Sequence, residues 1–204
     1  MRSLTSRVPV RVATAAALLL LSAAVPAEPQ GAVAASGAPV DAVWAPRELN
    51  FTFLGFTAHY SCDGLQARMT KVLLMLGARA TDLQVLPGPC AASYGRSDEF
   101  PTVRVKMNVL VPATAENTGA DTPPVPAHWK KVNLTASKDV VKEAGDCELV
   151  EQLKQRVLPL FTTRDIDYMS TCIPHQLTVG GTRLTTEVLV ADPQGEGARP
   201  AATP

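Results

Sequence analysis

The chain has 204 residues and a formal net charge of zero, because 19 lysines and arginines balance 19 aspartates and glutamates. This balance gives no electrostatic basis for binding nucleic acid or an anionic membrane surface, so we expect neither as a partner. Removal of the arginine-rich start described next leaves an acidic excess of about three charges, which argues against the same partners.

The first residues have the three parts of a secretory signal peptide. Three arginines precede an uncharged run from Val12 to Val25, which ends in the small-residue pattern Val25-Pro26-Ala27. The apolar run is shorter than the ~20 residues that a membrane-spanning helix needs. The sequence therefore predicts a signal peptide over residues 1–27, no membrane span after its cleavage, and a periplasmic or secreted mature protein.

Segments rich in Ala, Gly and Pro divide the rest of the chain. Residues 28–43 and 192–204 show no hydrophobic period and are predicted to be disordered tails. Residues 112–127 contain four prolines and are predicted to be a linker. The ordered parts are then 44–111 and 128–191, which are of similar length.

The two ordered parts share one pattern. Each opens with an apolar residue, an asparagine, an apolar residue and a threonine, around Asn50 and Asn133. In each, a cysteine follows, and then apolar residues spaced i, i+4, i+8, i+11, which is one face of a helix. Those residues are Leu65, Met69, Leu73 and Leu76 in the first part, and Leu149, Leu153, Val157 and Leu160 in the second. Each part closes on an alternating strand with one buried face. The sequence predicts a strand-helix-strand-strand unit present twice.

The ends of both predicted helices carry suitable residues. Ser61 or Asp63 can cap the first helix, and Gly77 can end it. Asp146 can cap the second helix, and Pro159 interrupts it near its end.

These elements predict an α+β fold. A helix with one apolar side needs a sheet to cover. We expect a two-layer sandwich with an antiparallel or mixed sheet and two helices on one face. The pattern leaves open whether the two repeats share one continuous sheet or form a packed pair.

Four cysteines follow the signal peptide: Cys62, Cys90, Cys147 and Cys172. An even number in an exported protein predicts disulfides rather than a metal site or a catalytic thiol. Spacing alone allows three pairings. Because a duplicated unit should duplicate its crosslink, we predict Cys62 with Cys90 and Cys147 with Cys172.

A resemblance supports the predicted location. The stretch Tyr60-Ser61-Cys62-Asp63-Gly64-Leu65, continuing to Arg79, resembles small exported proteins of proteobacteria whose function is uncharacterised. The similarity covers residues 48–112 and implies a bacterial envelope protein, without an activity. At the level of the fold alone, the repeated unit is similar to tandem SHS2 modules.

The residues with reactive or metal-binding side chains do not form a known catalytic or metal-binding motif in the sequence. The three histidines, His59, His128 and His175, have no metal-ligand spacing apart from Cys172-x-x-His175, which a disulfide at Cys172 removes. The sequence contains no nucleophile elbow and no phosphate-binding loop. We therefore expect no catalytic, metal or cofactor site, and no enzymatic activity.

The aromatic cluster near the first strand is the main candidate for binding. Phe51 and Phe53 are predicted to face the core, with Leu54 outward. Beyond a bend at Gly55, Phe56 and Tyr60 can line a groove for a peptide or a hydrophobic ligand. The alternative is that they pack in the core.

The predicted function is thus an exported, disulfide-bonded module that binds a protein or an envelope component. One alternative is a carrier of a small apolar ligand, which requires an apolar cavity of several hundred Å³. Another is an enzyme with its site between the two repeats, where His59, His175 and a carboxylate would lie within hydrogen-bond reach. The identity of the partner and the oligomeric state are open.

Overall fold

A computed structural model describes residues 38–88, 100–136, 140, 146–173, 176 and 181–193 of the chain. The predicted signal peptide over residues 1–27 lies outside the described residues, as do Cys90 and His175. All described residues belong to one compact unit.

The described residues form a two-layer α+β sandwich, as predicted. Six strands make one antiparallel sheet in the order β2-β3-β1-β4-β6-β5. The strands are β1 (Val40–Thr52), β2 (Gln84–Pro87), β3 (Thr102–Pro112), β4 (Val125–Asn133), β5 (Thr163–Ser170) and β6 (Thr182–Ala191). The helices are α1 (Cys62–Met75) and α2 (Cys147–Gln152), and α2 continues as a π-helical segment (Leu153–Val157) and a 3-10 turn (Leu158–Leu160).

The two halves of the chain share one continuous sheet, which settles the question left open by the sequence. β1 and β4 join them through a short antiparallel pairing of Val40–Ala42 with Val125–Ala127. In each half the first strand lies beside the third, and the third beside the second. The halves thus share an element order and a strand order, while their origin by duplication stays a prediction.

Two boundaries differ from the prediction. β1 begins at Val40, inside the predicted tail 28–43, and β4 begins at Val125, inside the predicted linker 112–127. These strand starts are rich in Ala, Val and Pro, so their composition is typical of a linker. They are ordered because they hydrogen-bond to each other, which is a contact between residues far apart in sequence.

The main core lies between the sheet and the helices. It contains the predicted stripe of α1, from Leu65 to Leu76, and most of the second stripe, while Leu160 is only partly buried. Phe51 and Phe53 are also buried in it, as predicted.

The N-termini of the two helices differ. Ser61 caps α1, since its Oγ accepts a hydrogen bond from the Gly64 N–H at 3.1 Å. The predicted cap of α2 was wrong: the Asp146 side chain makes no capping hydrogen bond. Its carboxylate instead points into the protein, to partners in the other half of the chain described below.

A smaller cluster lies on the other face of the sheet. It consists of Ala42, Leu110, Ala127 and Leu189, with Trp44 and Trp129 packed against it. An arginine lies over each indole ring, Arg79 at 5.4 Å and Arg164 at 4.3 Å from the ring centroid. The centre of this face is therefore largely covered by the protein's own side chains.

Cys147 and Cys172 form a disulfide that ties the start of α2 to the end of β5, the pairing predicted from the repeat. Cys62, at the start of α1, is also disulfide-bonded. Its predicted partner, Cys90, lies outside the described residues. A disulfide of this kind indicates an oxidising, non-cytoplasmic compartment.

Candidate binding surface

The segment from Phe53 to Ser61 connects β1 to α1, and side chains of the second half hold its backbone. We call it the clasped segment. The Glu148 carboxylate accepts hydrogen bonds from the N–H groups of Phe56 and Thr57, at 2.8 and 3.1 Å. Two backbone amides in succession are thereby fixed by one buried side chain.

Gln152 and Arg156 continue this line of contacts along the outer edge of β1. The Gln152 amide bonds to both the N–H and the carbonyl of Leu54, at 3.1 and 2.8 Å. Arg156 donates to the carbonyls of Thr52 and Asn50, at 2.9 and 2.8 Å. The residues Glu148, Gln152 and Arg156 are spaced four apart, so they lie on one side of a helix.

The side chains of Gln152 and Arg156 bind backbone groups that a neighbouring strand would otherwise bind. β1 pairs with β4 only up to Ala42, so beyond that point this edge of β1 has no strand neighbour among the residues that the structure describes. Unpaired backbone groups at such an edge need other partners. The polar side of α2 and its π-helical continuation supplies them.

Two large apolar side chains project from the clasped segment. Leu54 is 53% exposed and Phe56 is 61% exposed. Between them, a Cβ on Gly55 would lie 2.1 Å from the buried Phe53 ring, so any other residue at this position would displace that ring. Leu54 and Phe56 are thus presented to solvent from a backbone that is fixed on one side by Glu148 and Gln152.

Tyr60 points the other way, into the protein. Its ring packs edge-to-face on Phe53 at 4.7 Å, and its hydroxyl donates a hydrogen bond to the Asp146 carboxylate. The same carboxylate pairs with the Arg68 guanidinium at 2.8 Å. Arg68 also donates to the Val140 carbonyl at 2.8 Å and lies over the Tyr60 ring. This buried cluster links α1 to the residues that precede and begin α2.

A polar pocket of about 280 Å³ opens beside the clasped segment. Its lining residues come from the end of the segment and from the first turns of α1: His59, Tyr60, Ser61, Gly64, Ala67, Arg68 and Lys71. A second cavity of about 300 Å³ lies between β1 and β3, near Glu48 and Lys106. Both have charged walls, unlike the enclosed apolar cavity that a carrier of apolar ligands requires.

The structure separates the two residues predicted to share a groove. Tyr60 lines the polar pocket but is itself buried, whereas Phe56 is exposed and does not belong to the pocket's described lining. His59 lines the pocket, His128 contacts Asp192 elsewhere, and His175 lies outside the described residues. The active site proposed between the two repeats would need His59 and His175 close together, and His175 lies outside the described residues.

Sequence reasoning missed the two buried carboxylates, Asp146 and Glu148. The position of Asp146 before α2 indicates a helix cap, and the position of Glu148 in the first turn of α2 indicates no special role. A polar stripe at Glu148, Gln152 and Arg156 is visible in the sequence, one helical position before the apolar stripe at Leu149, Leu153 and Val157. Such a stripe normally indicates a solvated face, so its contact with β1 could not be read from spacing.

Asp82 and Tyr168, which lie outside the clasped segment, have shifted pKa values. The side-chain amide of Asn108 donates to Asp82 at 2.9 Å and is the main cause that lowers the pKa of that carboxyl, with Arg79 adding to it. Burial raises the pKa of the Tyr168 hydroxyl, and the nearby Glu151 carboxylate adds to the increase.

No family model, curated protein or solved structure matches the chain. The resemblance to exported proteobacterial proteins and the likeness to SHS2 modules therefore stay predictions. Within the described ranges, no helix is long and apolar enough to cross a membrane. The same residues contain no group of three or more His, Cys, Asp or Glu side chains placed to hold a metal ion.

Proposed function

We propose that the protein is a non-enzymatic module of the bacterial envelope, periplasmic or secreted, that binds a protein or another envelope component through Leu54 and Phe56. The observation that carries this proposal is the exposure of two large apolar side chains on a hydrogen-bonded, preordered backbone. The disulfide between Cys147 and Cys172 supports the oxidising compartment.

Preordering matters because binding loses free energy whenever a loop must be fixed in the complex. Here Glu148 and Gln152 have already fixed the backbone at Leu54, Phe56 and Thr57. A few side chains that enter a partner's pocket usually dominate the binding energy of an interface, and aromatic residues, phenylalanine included, are enriched at interfaces. The clasped segment combines a hydrogen-bonded backbone with an exposed phenylalanine and an exposed leucine beside it.

The test is capture of envelope components by the purified mature protein, compared with a Phe56→Ser variant. We expect the wild type to retain a specific component and Phe56→Ser to lose it. The matched control is Met169→Ser, because Met169 is also about half exposed but lies on the edge strand β5, which β4 and β6 separate from β1. Equal capture by both variants, or no component above background with the wild type, would contradict the proposal.

A further inference from the structure

Leu54 has an exposed apolar neighbour on the adjacent strand. The register of β1 with β3 continues past the last strand pair, because the Phe53 N–H donates to the Pro101 carbonyl at 2.9 Å. The next pair in this register is Leu54 with Phe100, and both side chains are about half exposed. Residues directly opposite each other in an antiparallel pair share a face and have Cβ atoms about 5 Å apart. Leu54 and Phe100 are therefore neighbours on the surface.

The backbone of Leu54 shows which face this is. Its N–H and its carbonyl both point away from β3, to Gln152, just as the carbonyls of Asn50 and Thr52 point to Arg156. In an antiparallel strand, alternate residues direct their backbone groups to the same side and their side chains to the same face. Leu54 thus lies on the face of the sheet away from the main core, which we call the outer face.

The outer face changes from apolar to charged along β1 and β3. Starting at the clasped segment, the successive cross-strand pairs are Leu54 with Phe100, Thr52 with Thr102, Asn50 with Arg104, and Glu48 with Lys106. The last pair is an ion pair at 3.3 Å. Arg104 has no ion pair and no side-chain hydrogen bond among the described residues, and the cavity of about 300 Å³ opens beside it. Its guanidinium is therefore the available donor group of this face.

The spacing of these groups fits an extended peptide. Phe100 and Arg104 are four residues apart on one face of β3, which is about 13 Å at ~3.3 Å per residue. Side chains i and i+4 of an extended peptide also share a face and lie the same distance apart. A planar guanidinium matches the geometry of a carboxylate, whereas exposed leucine and phenylalanine favour an apolar side chain.

We propose that the outer face beside the clasped segment binds an extended peptide of the partner, with a large apolar side chain on Leu54 and Phe100 and a carboxylate at Arg104, four residues away. This inference rests on the proposed function and specifies the chemistry of the partner: a protein segment in which an aromatic or large aliphatic residue and an acidic residue are four positions apart.

The test uses short peptides and the mature protein labelled with ¹⁵N. Acetyl-Phe-Thr-Thr-Thr-Asp-amide and acetyl-Asp-Thr-Thr-Thr-Phe-amide have the required spacing in the two possible directions, and threonine favours an extended backbone. Each is compared with a peptide in which asparagine replaces aspartate, and with one in which aspartate stands only two residues from phenylalanine. We expect saturable shifts of the amides of Leu54, Phe100 and Arg104 with one of the first two peptides, and weaker binding of both its controls.

Variants locate the binding. Phe100→Ser should weaken the peptide about two- to tenfold, the range for one aromatic contact. Arg104→Met should weaken it about two- to fivefold, and only when the peptide carries aspartate rather than asparagine. The matched controls are Leu74→Ser, an exposed apolar position on α1, and Lys131→Met, an exposed charge on β4. Neither should change the binding.

Three results would overturn the inference: equal binding of the asparagine peptide, equal binding of the peptide with the shorter spacing, or no binding at tens of millimolar. Sedimentation equilibrium adds a fourth. If the protein associated with itself and Phe100→Ser abolished the association, a second copy of the chain would be the occupant of this surface.

Failure of the inference is distinguishable from failure of the proposed function. If no peptide binds but envelope capture still depends on Phe56, the peptide site is wrong and the binding function stands. If the peptides bind with the expected spacing and no envelope component is captured, the outer face recognises this peptide pattern and the envelope function is wrong.

Discussion

Asp146 and Glu148 are buried carboxylates, at 1% and 7% exposure, and each is satisfied by residues of the first half of the chain. Asp146 contacts Tyr60 and Arg68, and Glu148 contacts the backbone of Phe56 and Thr57. Burying a charge without such partners is strongly unfavourable. These two side chains therefore favour one arrangement of the second half against the first.

Replacing Asp146 by asparagine should destabilise the protein by about 2–4 kcal/mol, because the largely buried Arg68 guanidinium loses its counter-charge. The matched control is Glu48→Gln, which breaks the exposed pair between Glu48 and Lys106 and should cost less than about 1 kcal/mol. Urea unfolding measures both values. Equal losses in the two variants would show that the Asp146 pair is no more important than a surface one.

Asp82 gives a prediction about pH. The Asn108 amide favours the charged carboxylate, so the folded protein holds the pKa of Asp82 below its ordinary value. The charged Asp82 carboxylate therefore stabilises the fold fully above its ordinary pKa. This stabilisation is lost as the pH falls below about 4 and through the pKa of Asp82 in the folded protein. Asn108→Ala should raise the pKa of Asp82 in an NMR titration of its carboxyl carbon. Asn117→Ala, on an exposed loop, should leave it unchanged.

At the residue scale, the sequence predicts side chains whose partners are local and misses those whose partners are distant. Ser61 was predicted as a cap and is one, because its partner is Gly64 in the first turn of the same helix. Asp146 has the same favourable position before a helix, yet its carboxylate binds Arg68 and Tyr60. The Asp146 carboxylate forms a buried ion pair with a distant residue instead of a capping hydrogen bond. Residue spacing in the sequence cannot indicate such a distant partner.

At the element scale, α2 and its π-helical continuation have two separate roles. The side with Leu149, Leu153 and Val157 packs in the core, whereas the side with Glu148 and Gln152 holds the edge of β1 and the clasped segment. The first role follows from the apolar period and was predicted. The second depends on β1 and β4 separating after a short pairing, which only the topology shows.

Glu148→Ala should release the clasped segment. The N–H groups of Phe56 and Thr57 lose their acceptor, which costs about 1–3 kcal/mol when the group stays buried. Hydrogen exchange at these two amides should accelerate about tenfold or more, while exchange in the core of β3 changes only with the global stability. The control is Gln155→Ala, an exposed position on the same helical segment. Unchanged protection at Phe56 and Thr57 would show that Glu148 does not fix the segment.

The starts of β1 and β4 explain why element boundaries were misplaced. Val40-x-Ala42-x-Trp44 and Val125-x-Ala127-x-Trp129 have the same alternation, and each tryptophan lies opposite a leucine, Leu110 or Leu189. Alternation over five residues is weak when two of them are Ala, Pro or Asp. The strand-forming signal exists in the sequence, but the Pro-rich surroundings obscure it.

For the whole molecule, the decisive feature is that the core is shared. The main cluster contains Phe51 and Leu65 from the first half together with Leu149 and Leu184 from the second. The sheet is continuous, and Asp146 and Glu148 connect the halves. Two halves with equivalent strand orders are therefore expected to behave as one cooperative unit rather than as two repeats with separate stabilities.

The two tryptophans allow this cooperativity to be measured, because Trp44 lies on β1 and Trp129 on β4 and the chain has no others. Trp129→Phe leaves a reporter of the first half, and Trp44→Phe leaves a reporter of the second. In each variant, tryptophan fluorescence and far-ultraviolet circular dichroism should give the same urea midpoint. Because the two midpoints are compared within one variant, the effect of the substitution on stability cancels. If the halves unfolded separately, the fluorescence midpoint would depart from the dichroism midpoint in opposite directions in the two variants. Coincidence is expected because neither half can expose its side of the shared core while the other keeps its own buried.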